Sequence, residues 1–430
     1  MAIKTFGITF LLIDFLCKTI KPNSIFFVNT ILAGTGKISC QKSIRFQPIL
    51  KQYERIKTSL LRKVESEDTM TVKDILRELQ ELAPTGLAME WDNSGLQLGR
   101  EDWPADKILL TLDVTLSVIA YAVRHSFDLI VSHHPLIFRP LKSVTQSAIL
   151  DLVQHQIAVI SMHTNLDVVP QGVNSALAEA LGLANTHLLS DETGAKWYHC
   201  SVTVPPSAAD KLLNAIHNAG GGRIGCYDMC STRHEIKGSF RPLEGSNPFL
   251  GKAGKYEQTD EIELEFMVDS FNLEAVKRAI QSAHPYEEPA VYFVETRNNN
   301  PAYGLGLAGE LEKEVSLSEF AERVKTKLQA PFVQLWTAGS GKNYPVKKIG
   351  VCGGAGASLI KTASGQVDVL VTGDINYHNL LESALPLINA GHFYTEYPVL
   401  KKLHNLLKAK KIDSFVYPAR KHEIMNNLLI

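Results

Sequence analysis

The sequence has no CxxC pair, no surplus of either charge, and no apolar run long enough to cross a bilayer. Its six cysteines (Cys17, Cys40, Cys200, Cys226, Cys230 and Cys352) are scattered. That argues against a disulfide framework and for a reducing, cytoplasmic compartment. Cys226 and Cys230 lie four apart, but no second pair stands nearby to make a zinc knuckle of them. A formal net charge of −1 lacks the basic excess that phosphate-backbone binding needs, so no nucleic-acid partner is expected. The mostly apolar residues 6–16 are interrupted by Asp14 and fall well short of the roughly 20 residues of a spanning helix.

What is present is the composition of an ordinary globular protein, 45% hydrophobic and 21% charged, at 430 residues, long enough for two or three domains. Charge is uneven along it. Residues 1–69 hold 11 Lys+Arg against 5 Asp+Glu, net +6, and the remainder carries net −7. A secretory leader is one reading of the apolar stretch, though no clear small-residue cleavage site follows it closely. Thr71 reads as an N-cap ahead of apolar residues at helical spacing. Residues 1–69 are therefore expected to be a poorly structured extension or a mis-called start ahead of Met70. A targeting or membrane-proximal role is the other reading.

From Met70 the pattern alternates. Helices are expected over 71–83, 116–125 and 147–156, with strands over 107–112, 128–131 and 158–161. Such alternation implies βαβ units and a largely parallel sheet, whose ligands bind beyond the carboxyl ends of the strands. Composition shifts near Thr193. Residues 197–297 read as strand, helix, glycine-rich loop, strand, helix and strand, a small α+β module. The βα pattern resumes at 301–430, with helices over 316–327, 379–390 and 398–410 and strands over 348–351 and 367–372. The expected fold class is α/β: two βα lobes, 70–192 and 301–430, form one mixed or parallel-sheet domain interrupted by an insert at 193–300.

The chemistry concentrates at strand ends. His133 and His134 close the run 128–131, His163 and Asp167 follow 158–161, and His392 and Glu396 follow the later lobe's last strand-end glycine. Imidazole and carboxylate without thiolate suit zinc, manganese, iron or cobalt in an open site rather than a closed structural zinc site. Adjacent side chains diverge in extended chain, so His133 and His134 could serve two different ions. Asp167 and Glu396 are the candidate bridging or terminal carboxylates. His392 and Glu396, four apart, share a face if the segment is helical.

Blander readings stand beside each of these. His133-His134-Pro135 alone is more often a hydrogen-bonded turn, and His163 a satisfied core or outer-shell histidine. Asp113, Asp374 and His378 are candidates to line the cavity; structural capping is the readier reading of Asp113, while a helix N-cap suits Asp374 and a solvent contact suits His378 equally well. Trp91-Asp92-Asn93 reads as a loop with a buried aromatic. The loop from Gly353 to Ser358 could cradle a phosphate, or simply let a strand and helix pack closely.

Taken together the motifs resemble those of the Nif-three-like family, many of whose bacterial members are described as GTP cyclohydrolase 1 type 2. The resemblance covers about 70–425 and rests on WDNSGLQLG (91–99), TLDVT (111–115), SHHPLIF (132–138), HTNLD (163–167), GVCGGAGAS (350–358), TGDINYH (372–378) and GHFYTE (391–396). GSFRPLEGSNPFLG (238–251) and HPYEEPAVYFVE (284–295) are similar to the middle domain of its longer members, a PII- or CutA-like fold. The resemblance implies two divalent metal ions held by His133, His134, Asp167, His392 and Glu396, with His163 behind them, in a toroidal homo-hexamer whose sites face an internal cavity. Two departures stand out: residues 1–69 match nothing in the family, and residues 414–420 lack its Asn/Asp-Pro-Phe ending, leaving the last strand open.

Two functions compete. One is a metal-dependent hydrolase of a nucleotide or another phosphorylated or cyclic-amide substrate, of which GTP ring opening is an instance. The other is a non-catalytic metal-binding scaffold or regulator whose insert senses a small ligand.

Overall fold

The structure is a computed structural model that describes residues 69–191 and 196–418. The expected extension 1–69 falls, but for Thr69, outside the described residues, as do 419–430. Among the described residues no helix is long and apolar enough to cross a membrane.

Helix α1 (Val72–Leu82) starts where Thr71 and Asp74 form a capping box, each side chain meeting the other's backbone N–H. It buries Val72, Ile75 and Leu79, the apolar stripe that the spacing predicts. Then come β1 (Gly95–Leu98), β2 (Ile108–Thr111), α2 (Leu116–Arg124), β3 (Leu129–Ser132), α3 (Ser147–Gln154) and β4 (Ala158–Ser161). A single helical turn α4 (Thr164–Asp167), helix α5 (Val173–Leu181) and strand β5 (Ala184–Ser190) complete this lobe's chain. Every residue of β2, β3 and β4 is buried, as expected of parallel strands covered on both faces.

The middle segment runs β6 (Lys196–Val204), α6 (Ala209–Asn218), β7 (Thr232–Phe240), β8 (Glu257–Asp269), α7 (Leu273–Ala283) and β9 (Val291–Asn299). Its four strands form an antiparallel sheet in the order β7-β8-β6-β9. Val202, Leu264 and Phe266 from the sheet meet Leu212, Ile216 and Ile280 from the helices in a separate apolar core. Strand β7 lies inside the stretch read as a glycine-rich loop. It is an edge strand with no buried residue, and only Ile236, Gly238 and Phe240 alternate half-buried with exposed neighbours, too short a pattern to signal a strand.

The second lobe runs β10 (Leu305–Ser316), α8 (Leu317–Leu328), β11 (Gln334–Trp336), β12 (Pro345–Ala355), α9 (Ile360–Ala363), β13 (Val369–Gly373), α10 (Tyr377–Glu382), β14 (Leu387–Asn389), α11 (His392–Glu396), α12 (Pro398–Ala409) and β15 (Ser414–Val416). The helix expected over 379–390 is corrected here. It stops at Glu382, and buried β14 begins just beyond Pro386, whose ring cannot continue a helix and whose carbonyl accepts from Leu370 N–H.

The parallel strands fall into two sheets, β1-β4-β3-β2-β15 and β11-β14-β13-β12-β10-β5. Each sheet borrows one strand from the other lobe's chain: β15 pairs in parallel with β2, and β5 pairs antiparallel with β10. This settles the last strand, which joins an edge despite its atypical sequence. In the first sheet Ser132 is in register with Thr111 and with Ser161, so three strands end side by side. The chain leaving them carries Asp113, His133-His134 and His163. In the second sheet Ala355 is in register with Gly373, and Ala390 N–H donates to Thr372 O. That row carries the glycine loop, Asp374 and His392.

Candidate metal centre

The histidine pair is pinned by its backbone. His133 and His134 N–H donate to Thr111 O and Leu112 O at 3.1 and 2.8 Å, extending the ladder past the end of β3. Ser132 Oγ donates to His134 O and Ser161 Oγ to His133 O, at 2.8 and 3.0 Å. On the other lobe Gly391, at φ +84°, turns the chain into α11. That short helix brings His392 Nε2 to 2.9 Å from Glu396 Oε1 across one turn.

Glu396 is the centre of the arrangement, with its side chain only 5% exposed. Its Oε1 lies 3.5 Å from His133 Nε2, and its Oε2 lies 3.1 Å from His134 Nε2. His134 Nε2 and His392 Nε2 are 3.3 Å apart, and Asp167 Oδ1 is 3.7 Å from His133 Nε2. His133, His134 and Glu396 thus form a cluster able to hold a metal ion. The two imidazoles of the pair are tilted 46° from one another, with centroids 5.0 Å apart.

Tautomers follow from what the far nitrogens touch. His133 Nδ1 lies 2.8 Å from Met162 O, which can only accept, so Nδ1 carries the proton. His134 Nδ1 meets Asp113 Oδ1 at 2.8 Å, and His392 Nδ1 meets Asp374 Oδ2 at 2.6 Å. With each Nδ1–H donating outward, every neutral Nε2 presents a lone pair inward. His133 Nε2, Asp167 Oδ1 and Glu396 Oε2 are buried and make no hydrogen bond, Glu396 Oε2 despite its nearness to His134. Buried polar atoms left this way cost stability unless a cation completes them. The donors therefore fit a divalent metal.

Without a metal the cluster holds protons instead. Burial opposes charge on His134, but its hydrogen bond to Asp113 and the nearby Glu396 carboxylate overcome it and push its pKa up to about 10. The Glu396 contact, partly offset by burial, raises His392 to about 9. His133 moves the same way, burial again opposing and Glu396 prevailing. Glu396 is held well below the usual carboxylate range: burial would raise it, and the three imidazoles outweigh that. Burial pushes Asp167 up to about 6.

Room for the carboxylate comes from Gly354. Its φ of +62° is the left-handed region, and a Cβ there would run into Glu396 Oε1 and come within 3.2 Å of His392 Nε2. The glycine loop's amides are already engaged: Gly353, Gly354 and Gly356 N–H donate to Asn174 Oδ1, Thr395 Oγ1 and Thr372 Oγ1 at 2.9, 3.0 and 2.9 Å. Close packing, rather than a phosphate cradle, explains the glycines. Cys352 is fully buried beside the cluster, and burial raises its thiol far above the ordinary value, so it stays protonated.

The structure brings His133, His134, Asp167, His392 and Glu396 together, with Asp113 and Asp374 behind two of the imidazoles. Neither aspartate caps a helix; Thr115 and Asn376 do that. His163 lies against the pair, its ring 5.5 and 5.6 Å from those of His133 and His134. His378 is exposed, and its ring contact is with Tyr377. The aromatic at 91 is not buried but 62% exposed. Its neighbour Asp92 is the residue that sequence reasoning missed. The Asp92 carboxylate is fully buried, accepting from His163 Nδ1 at 2.7 Å and from Thr164 N and Oγ1 at 3.1 and 2.6 Å. Burial opposes its ionisation, yet those bonds hold it well below the usual range. The polar Asp-Asn-Ser run was the available signal.

Residues 70–423 match the family Duf34/NIF3 (NGG1p interacting factor 3). A "GTP cyclohydrolase 1 type 2 homolog" of Staphylococcus aureus (strain MSSA476) is 35% identical over 346 residues, 79% of this chain and 93% of the relative. Its namesake from Halalkalibacterium halodurans is 36% identical over 360 residues, covering 81% and 96%. Among solved structures, a Bacillus cereus protein related to NIF3 superposes with TM-score 0.67 at 33% identity, over 81% of this chain and 96% of that one. The S. aureus protein SA1388 gives 0.65 at 30% identity, over 83% and 99%. The chain belongs to the Duf34/NIF3 family.

Proposed function

We propose that the chain binds two divalent metal ions and with them hydrolyses a nucleotide or a related phosphorylated or cyclic-amide substrate. One observation carries this: three imidazoles, each with Nδ1 committed to an acceptor, turn Nε2 toward one buried carboxylate. His133 and Asp167 would hold one ion, His134 and His392 the other, with Glu396 between them. The nitrogen and carboxylate donor set suits zinc, manganese or iron. When bound, such a pair supplies Lewis acidity and a water activated at neutral pH.

The chain's own residues do the remaining work. Asp113 and Asp374 fix the tautomer and orientation of His134 and His392. His163, anchored by Asp92 against the pair, is placed to move a proton beside the cluster. The names borne by the curated relatives support a nucleotide as the substrate class. Residues 193–300 are read as an inserted domain, supported by the separate core of the four-stranded sheet.

The test is elemental analysis of the purified full chain, followed by incubation of zinc-, manganese- and iron-loaded protein with GTP and a phosphoester panel. Turnover that disappears in Glu396→Gln supports the reading. Two bound metals with no turnover of any substrate would favour a metal-binding regulator instead.

A further inference from the structure

Two large rings stand in water beside the cluster. Trp91 is 62% and Phe138 47% exposed. They meet edge to face, centroids 6.0 Å apart at 62°. Both turn against His163, at 6.1 and 6.5 Å, and His163 in turn abuts His133 and His134. The rings therefore begin one imidazole away from the proposed metal ligands.

Their loops are held in place. Ile137 N–H donates to Gln97 Oε1 at 2.7 Å, Asn93 Nδ2 donates to Ile137 O at 2.5 Å, and the Gln97 amide donates to Asn93 O. Asp92, next to Trp91, is clamped to His163 and Thr164. Such bonds fix where Trp91 stands relative to the cluster while leaving most of its surface in water. Exposing a large ring forfeits the stabilisation that burial brings, so a rigidly presented one points to a ligand. The residues flanking it, Asp92, Asn93, Ser94 and Gln97, are polar, which suits a small molecule with polar edges better than an apolar protein face.

We infer that Trp91, edged by Phe138, is a stacking platform that selects substrates carrying a planar fused heteroaromatic ring and directs the rest of the molecule toward His133 and His134. The inference rests on the metal-centre reading above. An aromatic face accepts any such ring without reading its hydrogen-bonding edge, so the platform confers a class of substrate rather than one base.

The test is isothermal titration of the zinc-loaded full chain with guanosine 5′-monophosphate and with ribose 5-phosphate. The nucleotide is expected to bind at least about tenfold more tightly than the sugar phosphate. W91A should lose about that factor for the nucleotide and nothing for the sugar phosphate, W91F should recover most of it, and zinc content should match in all three. If W91A does not fold, W91L replaces it, keeping an apolar side chain without a stacking face. Equal affinity for the two ligands, no binding of the nucleotide, or unchanged nucleotide affinity in the variant overturns the inference. Failure of the unaltered chain to hold zinc, seen before any nucleotide is added, overturns the metal reading and this one with it.

Discussion

His134 Nε2 and His392 Nε2 stand 3.3 Å apart, though 258 positions separate the residues and each follows the end of a strand in a different sheet. Their Nδ1 atoms are both committed to aspartates, so neutral rings would point two lone pairs at one spot. A proton or a metal ion must stand between such groups. The pairing of the two lobes is thereby tied to a cation.

Metal stoichiometry should follow the geometry. The full chain is expected to hold two zinc ions, His392→Ala about one, and Glu396→Gln fewer than one, since Glu396 touches all three imidazoles. Elemental analysis after exhaustive dialysis measures this. An undiminished count in Glu396→Gln would remove the carboxylate from the centre.

The carboxylates behind the imidazoles should matter almost as much as the ligands. Asp113→Asn and Asp374→Asn keep the shape but lose the charge that makes each imidazole a better donor. Affinity for zinc should fall about 10- to 100-fold in each. His378→Ala, at an exposed position one turn along the same segment, should leave it unchanged. Competition with a chromophoric chelator reads the three together. Equal affinities across the set would mean that these aspartates only fix the loops.

Much of this site was legible because strand ends and helical spacing are local. Register in a parallel sheet aligns the residues leaving adjacent strands, so His133 and His163 announce themselves together. His392 and Glu396 meet through one helical turn. Asp92 was harder to read, because its partners lie 71 and 72 positions away and the polar Asp-Asn-Ser run, the one local signal, does not tell a buried carboxylate from a loop one. Strand β14 was missed because its apolar run continues that of α10, and Pro386 was the one break between them. The exchange of β5 and β15 between sheets is likewise a long-range pairing with no periodic signature.

Acid–base linkage gives the metal-free chain a definite pH profile. Glu396, depressed below its ordinary 4.5, contributes stability that is present above that value and lost as pH falls through its folded one. His134 and His392, raised from 6.5 to about 10 and about 9, contribute stability that is complete below 6.5 and lost as pH rises through those values. Asp167, raised from 3.8 to about 6, likewise loses its contribution between them. Chelator-treated protein should therefore melt at falling temperature from pH 6.5 to 9. Zinc binding releases the imidazole protons, so the rise in melting temperature on adding zinc should grow between pH 6 and 8. Thermal-shift curves with and without zinc measure both; an increment that shrinks with pH would contradict the inward-facing lone pairs.

Gly354→Ala should separate the metal centre from the fold. The new methyl would collide with Glu396 Oε1 and press on His392 Nε2, and the residue would have to keep φ +62°. The left-handed conformation alone costs roughly 1–2 kcal/mol for an L-residue, a loss that a large two-lobed core can absorb. Displacing the carboxylate, by contrast, removes the group shared by every proposed ligand pair. Zinc affinity should drop by more than about tenfold, beyond what the backbone term would explain, while the far-ultraviolet circular dichroism stays that of the unaltered chain. Gly365→Ala serves as the comparison, since it also has a positive φ, +84°, but a Cβ there meets nothing within 4 Å. It should lose comparable stability and retain its zinc. If the two variants bind zinc equally well, the space at Gly354 serves packing and not the metal.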